Sequence, residues 1–65
     1  MLFLWKYFDA EGNEVGESRR FGDRDEAEEW MGTAWSGLLS KGVEESALID
    51  DERDRTLYRM GLRAE

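Results

Sequence analysis

Residues 23–42 read DRDEAEEWMGTAWSGLLSKG, and this stretch decides the fold. Ala27, Trp30, Met31, Ala34, Trp35, Leu38 and Leu39 recur at alternating spacings of three and one, which lays one apolar stripe along one side of an α-helix. Both ends carry signals. Asp23 with Glu26 three residues later makes a capping-box-like pair, and Asp25, Glu28 and Glu29 put further negative charge near the positive end of the helix dipole. At the other end Lys41 sits in the last turn, Gly42 suits a left-handed residue, and Val43 is placed to fold back onto Leu38 as in a Schellman ending. Gly32 and Gly37 each cost up to about 1 kcal/mol relative to alanine, so they mark either a close approach to a neighbouring layer or a tolerant, exposed face.

An apolar stripe needs a sheet to lie on, and the flanking segments supply one. Residues 2–8, LFLWKYF, read as a strand; residues 9–12, DAEG, read as a turn with Gly12 at positive φ; and residues 14–21, EVGESRRF, read as the returning strand. Pairing Tyr7 with Val15 and Phe3 with Arg19 gives one face of Phe3, Trp5, Tyr7, Val15 and Phe21, and another of Leu2, Leu4, Phe8, Gly16 and Ser18. After the helix, residues 43–50, VEESALID, and 55–62, RTLYRMGL, make a second hairpin. A four-residue loop sets Asp50 against Arg55, Leu48 against Leu57 and Ala47 against Tyr58. Thr56, Tyr58, Met60 and Leu62 then share one face, and Arg55, Leu57, Arg59 and Arg63 the other. The expected architecture is α+β in the order ββαββ, a single domain over residues 1–65. Its one four-stranded sheet, antiparallel or mixed, is made of two hairpins with the helix on one face. Strand one, the most apolar, belongs at the centre beside strand three or four, and strand two, with its charges, at an edge.

Composition narrows the chemistry. The 65 residues hold 16 acidic and 9 basic side chains, a net charge of −7, with no cysteine and no histidine. A chain this short buries only about 60% of its unfolded surface. Without a disulfide or a classical zinc site to add stability, association with itself or a partner is the expected supplement. The acidic balance opposes nucleic-acid binding, which draws on cationic neutralisation of phosphate, and so argues against base stacking by Phe3, Trp5 and Tyr7. No histidine is present to titrate near neutral pH, and the serines at 18, 36, 40 and 46 have no base near them in sequence; no enzyme and no cofactor are expected. Asp9, Glu11 and Asn13 imitate the start of a calcium loop, but its sixth position is Glu14 rather than glycine and its twelfth is Arg20, so the segment reads as a turn. Asp50, Asp51, Glu52 and Asp54, interleaved with Arg53 and Arg55, read as a solvated loop rather than a metal site. MLFLW is interrupted by Lys6 and has neither a basic leader nor a cleavage site, and no segment has the length of a membrane span. A soluble cytoplasmic protein is expected.

One helix covers one face of a sheet, yet strand one is apolar on both. With the helix over Phe3, Trp5, Tyr7, Val15, Phe21, Tyr58 and Met60, the opposite face would expose Leu2, Leu4, Phe8, Leu48 and Leu57, rimmed by Lys6, Arg20 and Arg59. Such a patch is an association surface, for a second copy or for another protein. The alternative surface is the acidic cluster Asp23, Asp25, Glu26, Glu28 and Glu29, which would dock on a basic partner, in the manner of a nucleic-acid mimic. Arg53, Arg55, Arg59 and Arg63 are expected to pair across strands with Asp50 and Glu44. Trp30 reads as core and Trp35 as the edge of the stripe.

The stretches FDAEGNEVG, EAEEWMGTAW, and GVEESALIDDE followed by TLYRMGL resemble a group of short, acidic, uncharacterised actinobacterial proteins. The likeness spans nearly the whole chain and implies no activity, ligand or site residue.

Overall fold

The most apolar segment, β1 (Phe3–Phe8), takes the centre of the sheet in the computed structural model, which describes residues 2–62. Around it lie β2 (Glu14–Glu17), α1 (Arg24–Ser40), β3 (Glu45–Asp50) and β4 (Arg55–Gly61). The strand order is β2-β1-β3-β4 and every neighbouring pair is antiparallel. This is the ββαββ, α+β arrangement expected from the periodicities, with β2 at an edge.

The helix ends follow their sequence signals. Asp23 Oδ1 accepts the Glu26 N–H at 2.7 Å and so fills one of the donors left open in the first turn. Gly42 turns the chain at φ 94°, where a side chain would be strained; the Gly42 N–H then reaches Leu39 O and the Val43 N–H reaches Leu38 O, both at 3.1 Å. Val43 is buried against the core. Gly32 and Gly37 do not approach the sheet. A Cβ built at either meets no atom within 4 Å, so neither marks a close contact.

Trp5 fastens the two layers together. Its side chain is 1% exposed, its ring meets Tyr58 edge-on at 5.9 Å, and its Nε1–H donates to Ala27 O of α1 at 2.8 Å. Ala27 and Met31 are the helix's fully buried residues, with Trp30, Leu38 and Leu39 half-buried beside them. Phe21 is completely buried and packs against Trp30 with centroids 5.4 Å apart.

Both hairpins depart from the expected register through extra residues, two in the first and one in the second. In β1–β2, Tyr7 pairs with Gly16 rather than Val15, because the register shifts between Tyr7 and Phe8, and the Tyr7 ring lies 3.4 Å from where a Gly16 Cβ would stand. Further along, Ser18 Oγ accepts the Trp5 N–H at 2.8 Å in place of a strand carbonyl. A second extra residue then brings Phe21, not Arg19, opposite Phe3. Two bulges restore the original alternation, so Phe3 and Phe21 still share the helix side. In β3–β4, Asp50 does pair with Arg55, but Leu57 is an extra residue, so Leu48 faces Tyr58 and Ala47 faces Arg59. The bulge has a packing reason: it turns Leu48, Tyr58 and Met60 all toward α1, and Leu57 reaches the same core half-buried.

Candidate functional site

The sheet face away from α1 comprises Leu4, Lys6 and Phe8 of β1, Ala47 and Ile49 of β3 and Arg59 of β4, as the strand alternation requires. Two residues expected there are elsewhere. Leu48 is fully buried in the core beneath the helix, and Leu57 packs on that same core. Leu4 is on the open face but is only 2% exposed, with Ala47 also at 2% and Ile49 at 6%. Among the described residues no second layer covers them; they pack on one another and on half-buried Phe8. The Arg59 guanidinium lies 4.3 Å over the Phe8 ring and donates to Glu45 at 2.7 Å. Lys6 pairs with Glu14 at 3.9 Å, and Arg20 with Asp51 at 2.7 Å. Arg59 thus covers Phe8, which itself packs on the small apolar cluster. Of the expected patch, Leu2 alone is substantially exposed, at 41%.

The arginines of the second hairpin divide rather than form a stripe. Arg59 pairs with Glu45, and Arg53 stands 3.9 Å from Asp50. The bulge puts Arg55 on the opposite face from Arg59, and Arg63 falls outside the described residues. Asp50 is itself buried and occupied: its Oδ1 accepts the Glu52 and Arg53 N–H groups of the loop, whose left-handed residue is Asp54 at φ 51°. Asp9 Oδ1 likewise accepts the Glu11 and Asn13 N–H groups, a turn held by its own side chain. Among the described residues no group of three potential metal ligands is assembled.

The acidic cluster is exposed along the first half of α1. Asp23 is used as the cap, and Glu26 lies 3.6 Å from Arg19 rather than reaching back to Asp23. Glu28 is the most constrained. Its Oε2 accepts both Tyr58 Oη–H at 2.8 Å and Arg24 Nε–H at 3.0 Å. The Tyr58 bond, then Arg24, holds its carboxyl below the usual carboxylate range. In return, burial and the neighbouring carboxylate push the Tyr58 hydroxyl from 10.0 up to about 12.

Sequence periodicity placed Trp35 at the stripe's edge, and it is 39% exposed. It walls a trough of about 460 Å³ between α1 and β4, together with Met31, Gly32, Tyr58 and Met60, with Trp5 below and Glu28 at one end. On the opposite flank of the helix, Val15, 53% exposed, borders a second trough with Tyr7, Trp30 and Leu38. The two helix glycines each open onto one of these troughs. The composition of the stripe pointed to Trp35; the anchored Glu28 had no sequence signal, because Tyr58 lies thirty residues away. Comparison with family models, curated proteins and solved structures returns no match.

Proposed function

We propose that this chain is a small, non-enzymatic, cytoplasmic protein-interaction module that docks on a basic partner through its helix layer. The carrying observation is Trp35: a large aromatic side chain, 39% exposed, opening onto a trough that ends at a fixed carboxylate in a chain of net charge −7. Exposed aromatics beside a partly apolar trough have the make-up of interface anchors, and the acidic charge steers a basic partner toward it. The buried polar side chains serve the fold: Asp50 holds a loop, Ser18 completes a ladder and Ser46 donates to Lys6 O. No described helix is long and apolar enough to cross a membrane. Membership of the acidic actinobacterial group belongs to the same proposal.

Self-association through the open sheet face is the second reading, favoured by the missing second layer and by exposed Leu2. It has less to gain, since Leu4, Ala47 and Ile49 are already shielded and a second copy repeats the negative charge. Two measurements separate the readings. Affinity capture with the tagged chain should recover a basic protein at low salt and release it as salt rises, while light scattering over a concentration series reports a monomer. A mass that doubles with concentration, and halves again on Leu2→Glu, would instead establish the open face. A chain that captures nothing and stays monomeric would remove the interaction reading altogether.

A further inference from the structure

Three features lie in line on the flank of α1 that faces β4. Glu28, Gly32 and Trp35 are spaced by four and three residues, so they are successive neighbours on one helix face. Gly32 leaves space that the protein's own atoms do not fill: a Cβ there meets nothing within 4 Å. Glycine at such a position weakens the helix by about 1 kcal/mol relative to alanine, and no contact within the chain requires it. One turn toward the N-terminus, Glu28 is clamped through Oε2 by Tyr58 and Arg24. Its Oε1 receives no hydrogen bond among the described residues, and so remains a positioned, ionised acceptor at the end of an apolar trough. One turn the other way stands the Trp35 indole.

Arg24 displays the chemistry this arrangement accepts. Its guanidinium sits 5.4 Å from the Tyr58 ring centroid while its Nε donates to Glu28. A second cation could approach Oε1 from the trough, with its alkyl stem lying in the gap over Gly32. The chain as a whole carries −7, and Glu28 is the carboxylate that lines the trough, so the complementary occupant is cationic, which a second copy is not.

We propose that the trough over Gly32 is the docking site for a basic amphipathic segment of a partner protein. A lysine or arginine stem crosses Gly32 to meet Glu28 Oε1, and an adjacent apolar side chain of the segment packs against Trp35 and Met60. This deepens the interaction-module reading and rests on it.

The test uses the full chain, isotope-labelled for two-dimensional NMR, and three synthetic probes: an amphipathic lysine–leucine peptide, its lysine–alanine counterpart and its glutamate–leucine counterpart. The lysine–leucine peptide should bind with its largest shifts at the Gly32 amide and the Trp35 indole N–H, and the other two should bind at least about tenfold more weakly. Gly32→Leu fills the gap; it should weaken binding about tenfold while raising the melting temperature, since helix propensity improves and a Cβ there meets no atom within 4 Å. Glu28→Gln should weaken binding about fivefold. Equal binding by the lysine–alanine peptide, undiminished binding by Gly32→Leu, or shifts confined to Asp23, Asp25 and Glu26 would each overturn the trough. So would no binding of the lysine–leucine peptide. None of these touches the module reading, which the capture and light-scattering measurements decide by themselves.

Discussion

The two faces of the sheet bury their leucines almost equally and by different means. Under α1, Leu48 is sealed by a secondary-structure layer that Trp5 fastens through its bond to Ala27 O. On the other face Leu4 is nearly as hidden with no helix over it: it packs with Ala47, Ile49 and Phe8, and ion-paired Arg59 lies over the Phe8 ring. A face without a second layer is therefore not the same as an exposed apolar face. Close packing within the face, with one charged side chain laid over its aromatic member, keeps these apolar groups from water.

The largest test of this contrast is Trp5→Ala. Removing a buried aromatic from the junction of layers costs about 3–5 kcal/mol, comparable with the roughly 5 kcal/mol that holds a small domain together. The variant should lose its cooperative thermal transition by circular dichroism. Trp5→Phe, which keeps a ring without the Nε1–H donor, should remain folded with a lowered melting temperature. If Trp5→Ala costs no more than a truncation on the opposite face, the two layers are not unequal in the way the geometry implies.

Leu4→Ala is that truncation. Its burial predicts a loss of about 2–3 kcal/mol in urea unfolding, with little change in the slope of free energy against denaturant. A solvent-facing leucine would cost within about 0.5 kcal/mol. A result in that lower range would mean that Leu4 is open to water in solution, and would restore the open face as a candidate association surface.

The helix, its caps, the central place of β1 and the edge place of β2 were legible in the sequence, because each depends on local chemistry: the three-one spacing, Asp23 and Gly42, and the apolar excess of β1 over the charged β2; that β3 rather than β4 lies beside β1 was not. The sequence misled at Leu48 and Leu57 because a bulge changes which face a residue occupies, and the single extra residue at Leu57 follows from packing that only the assembled layers create. Ser18 as a stand-in strand acceptor and the Tyr58–Glu28–Arg24 clip were invisible for the same reason. Their partners are distant in sequence, and no local pattern marks them.

That clip makes the helix side sensitive to alkali in a way the other face is not. Tyr58 ionises at 10.0 when unfolded but only at about 12 in the fold, so folding favours its neutral form. The contribution is complete below pH 10 and is lost as pH rises toward 12. Melting temperature should fall by a few degrees more over that interval in the wild type than in Tyr58→Phe. Identical profiles for the two proteins would show that the hydroxyl bond to Glu28 does not persist in solution.

The helix side also has slack that the other face lacks. Gly37, like Gly32, meets open space, so Gly37→Ala should stabilise by up to about 1 kcal/mol through helix propensity alone. A destabilised Gly37→Ala protein would mean that the second trough closes more tightly than its geometry indicates.

The smallest effect asks what kind of cover lies on the open face. Arg59 contributes a charge paired with Glu45 and a stem and guanidinium lying over Phe8. If the charge mattered most, Glu45→Gln and Arg59→Ala would cost the same, and high salt would erase both. Exposed ion pairs contribute about 0–1 kcal/mol and are screened, whereas shielding by a stem is insensitive to salt. Arg59→Ala should therefore cost about 0.5–1 kcal/mol in chemical unfolding at any ionic strength, by analogy with an exposed cation–π contact plus lost packing. Arg59→Met keeps an unbranched apolar stem without the charge, so it should recover at least half of that loss, and Glu45→Gln should cost less than Arg59→Ala. An Arg59→Met protein as unstable as Arg59→Ala would reverse the assignment: the guanidinium would then be the cover, and the Phe8 ring beneath it would owe its shielding to an ion pair that salt can open.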